Sequence, residues 1–528
     1  MFRGMPYLFP VMALLAGLLP SCATFAPAPR TAEELDLPPS FTLYEDAAPA
    51  PDRWWEGFGS AELTGLVEES LGGNFTLRQA AARLRQAEAV VRQARAARFP
   101  SVGYGADASV TRTHTESAGS SLSPAERATQ TLNAVGALTA PAAGTPGVIN
   151  AASLGSAHSR LSALNTLLGG GTPNVETTRN VESYGLGLTA AYEVDLWGRL
   201  KAGEQASRLS LEATRADLHD AMEGLAAQVT LTWLDMLYNR QALAVVEAQL
   251  KANRDTLELL ELRYRKGQGS ALDIYQQRQA VAQAESTIPL LKAGLETLGH
   301  ELAVLLGRAP VSGPVVAAES YPALGPLPER GIPADLLALR SDVRAAGLRL
   351  ASADWQVSAA RADRLPSLTL TGAADVSGAA LSDLFDDWMA RLAASVTGPV
   401  FDAGRRKAEV ERTRAVVEER LAAYRLTVLT AVKEVENALS GEARQGEYVA
   451  ALERQYAAAR ATHEEARVRY MKGLNDYLPV LSALTNAQAL ERSLVAARRD
   501  LAAWRVQLHL ALGGTWMAGE SADVKDGS

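Results

Sequence analysis

The chain has 528 residues, of which 47% are hydrophobic, 21% charged and 6% aromatic. This composition is too apolar for a disordered chain, and the length suffices for two or more domains. A net charge of -8 provides no basic field to hold a phosphate backbone, so we expect no nucleic-acid partner. One cysteine and six histidines outside ligand spacing exclude an internal disulfide and disfavour a metalloenzyme.

Residues 1–21 have the layout of a secretory signal peptide, whose apolar run from Val11 to Leu19 is too short to span a bilayer as a helix. The run from Leu19 to Cys22 resembles the bacterial lipoprotein cleavage box, in which the cysteine becomes lipidated. A plain secretory signal with a chance cysteine is the alternative. Ala23, rather than Asp, follows Cys22, and the resemblance then favours the outer membrane. We expect no cofactor besides this covalent lipid.

An internal repeat covers most of the remaining chain. Arg263 to Gly267 matches Arg469 to Gly473, so that position 264 corresponds to position 470 at an offset of 206. The same offset pairs Gly198-Arg199 with Gly404-Arg405. Upstream, Arg98 to Pro100 matches residues 364–366 at an offset of 266, so the first copy carries about 60 additional residues. The chain is therefore a duplicated unit.

Each repeat is predicted to contain a leading helix, two strands, a very long helix and a return helix. The segments in chain order are a signal peptide (1–21), a lipidated linker (22–53), the first repeat (54–306), an inter-repeat linker (307–339), the second repeat (340–513) and a tail (514–528). The strands are predicted at about 101–113, 182–195, 367–377 and 390–401. The long and return helices are predicted at about 198–266, 271–306, 404–472 and 477–513.

The long helices carry a coiled-coil pattern. Apolar positions step by three and four residues from Leu243 to Tyr264, with Asn253 as one polar position, and the pattern recurs from Val449 to Tyr470. At about 1.5 Å per residue, such helices reach on the order of 100 Å. Pro289 predicts a kink or break in the first return helix.

The strand segments alternate between apolar and small or polar residues over about ten positions, as in Val102 to Thr111 and Tyr184 to Tyr192. On alternation alone, membrane-crossing strands and a half-buried soluble hairpin fit equally well, and the export signal favours the former. Four strands cannot close a barrel, because the smallest barrels have about eight and an open edge in lipid is costly. A barrel would have to be shared between chains.

These residues resemble the TolC-type outer-membrane channel family, and in particular its lipoprotein branch that serves efflux pumps. The resemblance is carried by Trp54-Trp55 before Phe58, Tyr192 to Arg199, Leu305 to Gly307, Leu336 to Arg344, Gly398 to Asp402 and Gly404-Arg405. It implies an α + β membrane protein in which three chains share a 12-stranded β-barrel above a long periplasmic coiled-coil tunnel.

The implied function is that of a passive exit duct in a tripartite efflux pump, without enzymatic activity. Its implied partners are a homotrimer of the chain itself, a periplasmic adaptor protein, an inner-membrane transporter of the RND type and outer-membrane lipid. The implied location is the outer membrane of a Gram-negative bacterium, with a lipid anchor and an extension into the periplasm. An exit duct for type I protein secretion is a close alternative, and a periplasmic coiled-coil adaptor or structural protein is one from another class.

The resemblance also implies a gate at the tips of the helices, between Tyr470 and Ser482. Family pores narrow there with an acidic ring, and the usual Asp, nine residues after the Gly, is replaced by Ser482. Asp476 is the nearest acidic substitute, with a capping role for the return helix as the alternative. The adaptor-facing tips are expected at Tyr264, Lys266, Gly267, Lys472 and Gly473.

The additional residues of the first copy lie between Thr113 and Val181, a segment rich in Ser, Thr, Ala and Gly. As a hairpin loop, the insertion 114–181 would face outside the cell. Its composition is typical of a flexible loop, and a partial plug is the alternative.

Overall fold

The computed structural model describes residues 25–28, 53–117, 129, 175–310, 316–318, 321–322, 324–327 and 340–513. The signal peptide, Cys22, most of the insertion and the tail 514–528 lie outside these residues. The contacts divide the chain into a helical unit and a strand unit, which we describe separately. None of the described helices combines the length and the apolar run that a membrane span requires.

The described part of the first repeat opens with a short 3-10 helix (Trp54–Phe58) and continues with four α-helices and two strands. These are α1 (Ala61–Gly73), α2 (Phe75–Ala96), β1 (Ser101–Ser117), β2 (Val175–Val194), α3 (Arg199–Arg265) and α4 (Ala271–Leu305). The leading segment is thus two helices rather than the single one predicted. Asn74 separates them because its side-chain Oδ1 accepts hydrogen bonds from the backbone N–H groups of Thr76 (2.7 Å) and Leu77 (3.2 Å), which caps α2.

The second repeat follows the same order with one leading helix. Its elements are α5 (Ser341–Ala362), β3 (Ser367–Gly378), a 3-10 turn (Leu381–Asp383), β4 (Asp387–Thr397), α6 (Arg405–Met471) and α7 (Tyr477–Leu512). The long helices α3 and α6 each have 67 residues, which corresponds to about 100 Å.

Equivalent hydrogen bonds join the start of each leading helix to the end of the return helix of the same repeat. The Asn74 Nδ2 donates to the carbonyl oxygen of Leu305 at 2.9 Å. In the second repeat, the Arg340 guanidinium donates to the carbonyl oxygen of Ala511 at 2.8 Å. Residues 74 and 340 correspond at the offset of 266, and residues 305 and 511 correspond at the offset of 206. Nearby, Gly307 adopts a φ of 75°, and a side chain there would overlap the Gly73 carbonyl.

The largest cluster in the helical core forms around the aromatic residues at the start of the first repeat. Trp54, Trp55 and Phe58 are buried against Trp233 of α3 and the aliphatic side chains of α1 and α4. Glu62 of α1 also holds part of the inter-repeat linker, because its carboxylate accepts the backbone N–H groups of residues 317 (2.6 Å) and 318 (3.2 Å).

The predicted seam of the long helices is buried along most of its length. Val246, Leu250, Asn253 and Leu260 are buried in α3, but Tyr264 at the end of the seam is 49% exposed. Its counterpart in α6, Tyr470, is only 8% exposed, so the two repeats differ at their tips. The helix α4 continues through Pro289, so the predicted break there is wrong and the alternative, a kink, stays a prediction.

The strand unit is a four-stranded sheet in the order β1-β2-β3-β4. The β1-β2 pair is antiparallel, and its register places Tyr104 opposite Leu188 and Gly105 opposite Gly187. One face is therefore apolar and the other is lined by small or polar residues. Tyr104 is 84% exposed and Leu188 55%, so the described part of the chain does not cover this apolar face.

The strand bounds differ from the sequence prediction. Strand β1 extends to Ser117, and strand β2 begins at Val175. The pairing of the two strands therefore includes both ends of the predicted insertion 114–181. Apart from residue 129, the middle of that insertion, which we predicted to be a flexible loop, lies outside the described residues. Strand β4 begins at Asp387 and ends at Thr397, before the Gly398-Pro399 pair, because Pro has no N–H to donate to a sheet.

His509 is largely buried beside Trp54, and this burial predicts that the stability of the helical unit depends on pH. The two rings are stacked at 5.4 Å, and burial, with the nearby positive charge of Arg505, lowers the pKa of His509 to about 4. Between about pH 6.5 and 4 the unfolded chain therefore binds a proton that the folded chain does not. Stability is complete above this window and falls within it by on the order of 3 kcal/mol per chain.

We expect thermal unfolding, followed by circular dichroism, to occur at lower temperature as the pH falls from 6.5 to 4. His509→Gln should flatten this dependence, whereas His300→Gln, at an exposed site on α4, should leave it unchanged. If the unfolding temperature fell equally with pH in His509→Gln and in the wild type, His509 would not be the group that causes the pH dependence.

Candidate functional site at the helical tips

Both long helices end in the same backbone turn. Gly267 and Gly473 have φ values of 71° and 72°, in the left-handed region that favours glycine. The N–H of Gln268 bonds to the carbonyl of Arg263 at 2.8 Å, and the N–H of Leu474 bonds to the carbonyl of Arg469 at 2.9 Å. The two hairpin tips are therefore duplicated in backbone geometry.

A tyrosine pair joins the tips of the two repeats. The rings of Tyr470 and Tyr477 meet edge to face at 5.4 Å, and they are buried against Leu260 and Ile274 of the first repeat. The guanidinium of Arg263 lies 4.6 Å from the centre of the Tyr470 ring, a cation-π geometry. Packing and charge thus hold Tyr470 against the end of the opposite long helix.

Burial raises the pKa of both tyrosine hydroxyls, and the nearby carboxylate of Asp273 adds to this effect. Both side chains therefore stay neutral at physiological pH. The Tyr477 hydroxyl donates to Oε1 of Gln277 at 2.5 Å, which adds a polar connection between the second repeat and α4. Tyr477 is 2% exposed and Gln277 is fully buried.

A chain of polar contacts continues from this pair toward the middle of the long helices. Gln277 Nε2 donates to the Asn253 carbonyl at 2.7 Å, and Gln488 Nε2 donates to the Asn253 Oδ1 at 3.1 Å. Further along, Gln249 Nε2 donates to Glu491 at 2.7 Å. The polar seam position Asn253 thus connects α3 with both return helices. Buried polar groups at a helix seam favour one register, because a shift would leave them without partners.

The predicted gate residues occupy different environments. Tyr470 is buried in the tip cluster, whereas Asp476 and Ser482 are exposed on and near the first turn of α7. Asp476 stands at the N-cap position of α7, but its side chain accepts no capping hydrogen bond. The equivalent turn of the first repeat is capped by Ser270, whose Oγ accepts the N–H of Leu272 at 3.1 Å. This geometry does not support the capping role, and the acidic ring at Asp476 stays a prediction.

The predicted adaptor-facing residues Tyr264, Lys266, Gly267, Lys472 and Gly473 are all exposed. Large apolar side chains around them are exposed as well: Leu262, Leu272, Tyr275, Met471, Leu474 and Leu478. A surface with basic groups and exposed apolar side chains is suited to binding another protein.

Sequence reasoning missed Arg263, Gln277 and Tyr477 as members of the tip site. Arg263 was visible as the residue that matches Arg469 in the repeat, but its contact with Tyr470 was not. Tyr477 and Gln277 correspond to Ala271 and Ala483 in the other copy, so the repeat carried no signal for them.

The comparisons with known proteins agree with this architecture. The family model for the outer membrane efflux protein matches residues 66–142, 140–308 and 332–514. A pyoverdine export outer membrane protein, OpmQ of Pseudomonas putida KT2440, is 30% identical over 517 residues, 96% of both chains. Nodulation protein T of Rhizobium leguminosarum bv. viciae is 28% identical over 67% of this chain and 74% of its own. The solved structure of the outer-membrane channel OprN has a TM-score of 0.76 and 27% identity, covering 94% of this chain and all of that one.

The chain therefore belongs to the outer membrane efflux protein family. It is an outer-membrane protein that serves as an exit duct for efflux, and the resemblance to TolC-type channels is confirmed. The helical channel fold is confirmed as well. The closure of the sheet into a shared barrel and the roles of the tip residues stay predictions.

Tyr264 and Tyr470 occupy equivalent positions in the two repeats but differ in burial, and this difference can be tested by substitution. Tyr470→Ala should remove about 3 kcal/mol of local packing, because the ring is buried and stacked. We expect faster amide hydrogen exchange in residues 466–481 and entry of large antibiotics into cells that carry the variant. Tyr264→Ala, at the exposed counterpart, is the matched control for hydrogen exchange and should leave it unchanged. Equal effects of the two substitutions would show that burial at Tyr470 is irrelevant to the closed tip.

The second tip prediction separates the two roles of Asp476. Because its side chain makes no capping bond, Asp476→Asn should change the free energy of unfolding by less than about 1 kcal/mol. If three copies form an acidic ring, the same change should reduce the cation preference measured from reversal potentials in planar bilayers. Glu465→Gln, on the exposed face of α6, is the control carboxylate. Unchanged selectivity with a clear loss of stability would favour the capping role instead.

Proposed function

We propose that the chain is a passive exit duct of a tripartite efflux pump that exports small molecules. The observation that carries this proposal is the match to outer membrane efflux proteins over nearly the whole chain, together with a strand pair at the same point in both repeats. In this proposal the helices form a long periplasmic conduit, and the strands form the part that crosses the membrane. Energy for transport then has to come from an inner-membrane partner.

The strand unit supports assembly of three chains into a 12-stranded barrel. Its sheet has four strands with an exposed apolar face, and β1 and β4 stand at its two edges. Pairing of β4 with β1 of the next chain would satisfy both edges, and lipid would cover the apolar face.

The exposed tips support binding of a periplasmic adaptor protein. Tyr264 and Lys266 at one tip, and Lys472 at the other, stand among exposed leucines and basic side chains. We infer an inner-membrane transporter as the third component, because relatives are named as outer-membrane proteins of solvent and toluene efflux pumps. Its assignment to the RND type rests on the sequence resemblance to the lipoprotein branch alone. The same names of relatives support the export of small organic molecules.

A lipid on Cys22 would add an anchor to the outer membrane without a spanning helix, at about 0.8 kcal/mol per buried methylene. The support for it is the cleavage box alone. The alternative of type I protein secretion shares this architecture, and the relatives named for pyoverdine export and toluene efflux favour small molecules. A coiled-coil adaptor accounts for the helices but not for the strand pairs.

The proposal is tested with the purified chain and with a deletion strain. In detergent we expect light scattering to give three times the mass of one chain. In planar bilayers we expect an ion conductance that persists when a voltage is applied. The deletion strain should become sensitive to organic solvents or retain a siderophore in the periplasm, and should secrete its proteins normally. Loss of a secreted protein with unchanged solvent tolerance would favour type I secretion, and a monomer without conductance would overturn the duct.

The same strain, complemented with Cys22→Ser, tests the anchor. Metabolic labelling by fatty acid should disappear while conductance persists, because strands rather than the lipid cross the membrane. If labelling by fatty acid persisted in this variant, Cys22 would not be the lipidated residue and the prediction of a lipoprotein cleavage box would be wrong.

A further inference from the structure

A cleft with basic and apolar walls lies in the helical unit, next to the residues that lead into β3 and out of β4. Strand β3 begins at Ser367 and strand β4 ends at Thr397, and the Ser367 hydroxyl donates to the Thr397 carbonyl at 3.3 Å. The cleft has a volume of about 220 Å³. Its lining residues all belong to the helical unit: Arg364, Pro399, Val400, Phe401, Asp402, Arg406 and Lys407.

The cationic side chains of this cleft are only partly neutralised. Arg406 donates to the Asp363 carbonyl oxygen, but its Nε–H is buried and makes no hydrogen bond. Lys407 lies 3.8 Å from Glu411, and solvent screens this pair because both side chains are well exposed. The exposed Arg364 forms no ion pair within the described part of the chain. The cleft therefore offers an anion two accessible positive charges and one unused donor.

Asp402 is the one carboxylate among the lining residues, and its oxygens already have partners. They accept the backbone N–H groups of Gly404 at 3.0 Å and of Arg406 at 3.2 Å, at the start of α6. The end of α6 is thus capped by the chain itself. An anion in the cleft would be held by the basic side chains rather than by the helix end.

The first repeat neutralises the counterpart of Arg364. Arg98, at the offset of 266, donates to the Glu204 carboxylate at 2.5 Å, and Glu204 is 1% exposed. At the offset of 206, the position of Glu204 is occupied by the buried Val410 in the second repeat. Arg364 therefore lacks the carboxylate that neutralises its counterpart. The free positive charge is a property of the second repeat.

The walls of the cleft also carry apolar side chains without cover. Val400 and Phe401 are almost completely exposed in the described part of the chain. In the proposed duct, the strands cross the outer membrane and the helices extend into the periplasm, so the cleft lies at the periplasmic membrane surface. Apolar and basic side chains are combined at such surfaces, where the former contact acyl chains and the latter contact lipid phosphates.

We propose that the cleft binds the phosphate group of an anionic phospholipid in the periplasmic leaflet of the outer membrane. Arg364, Arg406 and Lys407 donate to the phosphate oxygens, and Val400 and Phe401 contact the acyl chains. A headgroup without an amine is favoured, because the same basic side chains repel an ammonium group. The proposal rests on the proposed duct and names the class of lipid that is bound where the duct leaves the membrane.

Lipid retention by the full-length protein tests the site. The protein is reconstituted in vesicles of equal parts phosphatidylglycerol and phosphatidylcholine, extracted in mild detergent, and its bound lipids are counted by native mass spectrometry. We expect phosphatidylglycerol to be retained in preference to phosphatidylcholine. Millimolar inorganic phosphate should not displace it, because free phosphate makes no contact with the apolar walls. Equal retention of the two lipids, or displacement by phosphate, would overturn the lipid site.

Neutral substitutions test the basic side chains. Arg364→Gln and Lys407→Gln should each lower the retention of phosphatidylglycerol about fivefold, as expected for the loss of one basic contact with an anionic lipid. Both side chains are exposed, so the fold should persist. Lys201→Gln, at the exposed counterpart of Lys407 in the first repeat, is the matched control and should leave retention unchanged. Equal losses in Lys407→Gln and Lys201→Gln would show that general surface charge, rather than the cleft, attracts the lipid.

The outcomes separate the lipid site from the proposed function. Arg364→Gln and Lys407→Gln should keep the wild-type mass in light scattering and the wild-type conductance in planar bilayers of phosphatidylcholine. A trimeric, conducting wild type that retains no phosphatidylglycerol would overturn the lipid site and leave the duct intact. A monomeric wild type without conductance would overturn the duct and, with it, the placement of the cleft at the membrane.

Discussion

Each repeat is closed by one buried hydrogen bond between the residue before its leading helix and the last turn of its return helix. Asn74 makes this bond to Leu305, and Arg340 makes it to Ala511. The carbonyls near the end of a helix have no partner within the helix, so a buried end needs a donor from elsewhere. This need is satisfied twice by different side chains, an amide and a guanidinium. The contact fixes where the leading helix starts relative to the long helical hairpin, and the tips and helix faces depend on that placement.

The duplicated backbone carries two diverged surfaces. At the tips, Tyr264 points into solvent and Tyr470 into a buried cluster, although they occupy the same position in the turn. Along the long helices, α3 carries alanines where α6 carries Arg412 and Glu419. In both examples the buried residue is covered by another helix, whereas its counterpart is exposed in the described part of the chain. Divergence between the copies therefore locates the surfaces that the chain leaves for other partners.

Much of this architecture could be read from local pattern. The Lys-Gly pairs marked the ends of both long helices, since a left-handed turn there requires glycine. Period-two alternation located four strands, but it did not give their ends, because Thr113 to Ser117 alternate too weakly to distinguish strand from loop. The break at Asn74 was missed, since a cap inside a helical pattern is visible only when its contacts are known. The contacts of Arg263 with Tyr470 and of Gln277 with Tyr477 depend on packing between repeats, which periodicity in one segment does not report.

The sheet of a single chain also has a kinetic consequence. Strands β1 and β4 stand at its edges, with 17 and 11 residues respectively. Such long edges attract other strands, and in the proposed shared barrel the correct partner is an identical chain that has to arrive by diffusion. The stability of the sheet is then inseparable from the local concentration of newly exported chains. Slow export would lengthen the time in which open edges meet the wrong partner, so aggregation in the periplasm should compete most strongly with assembly when few chains are present.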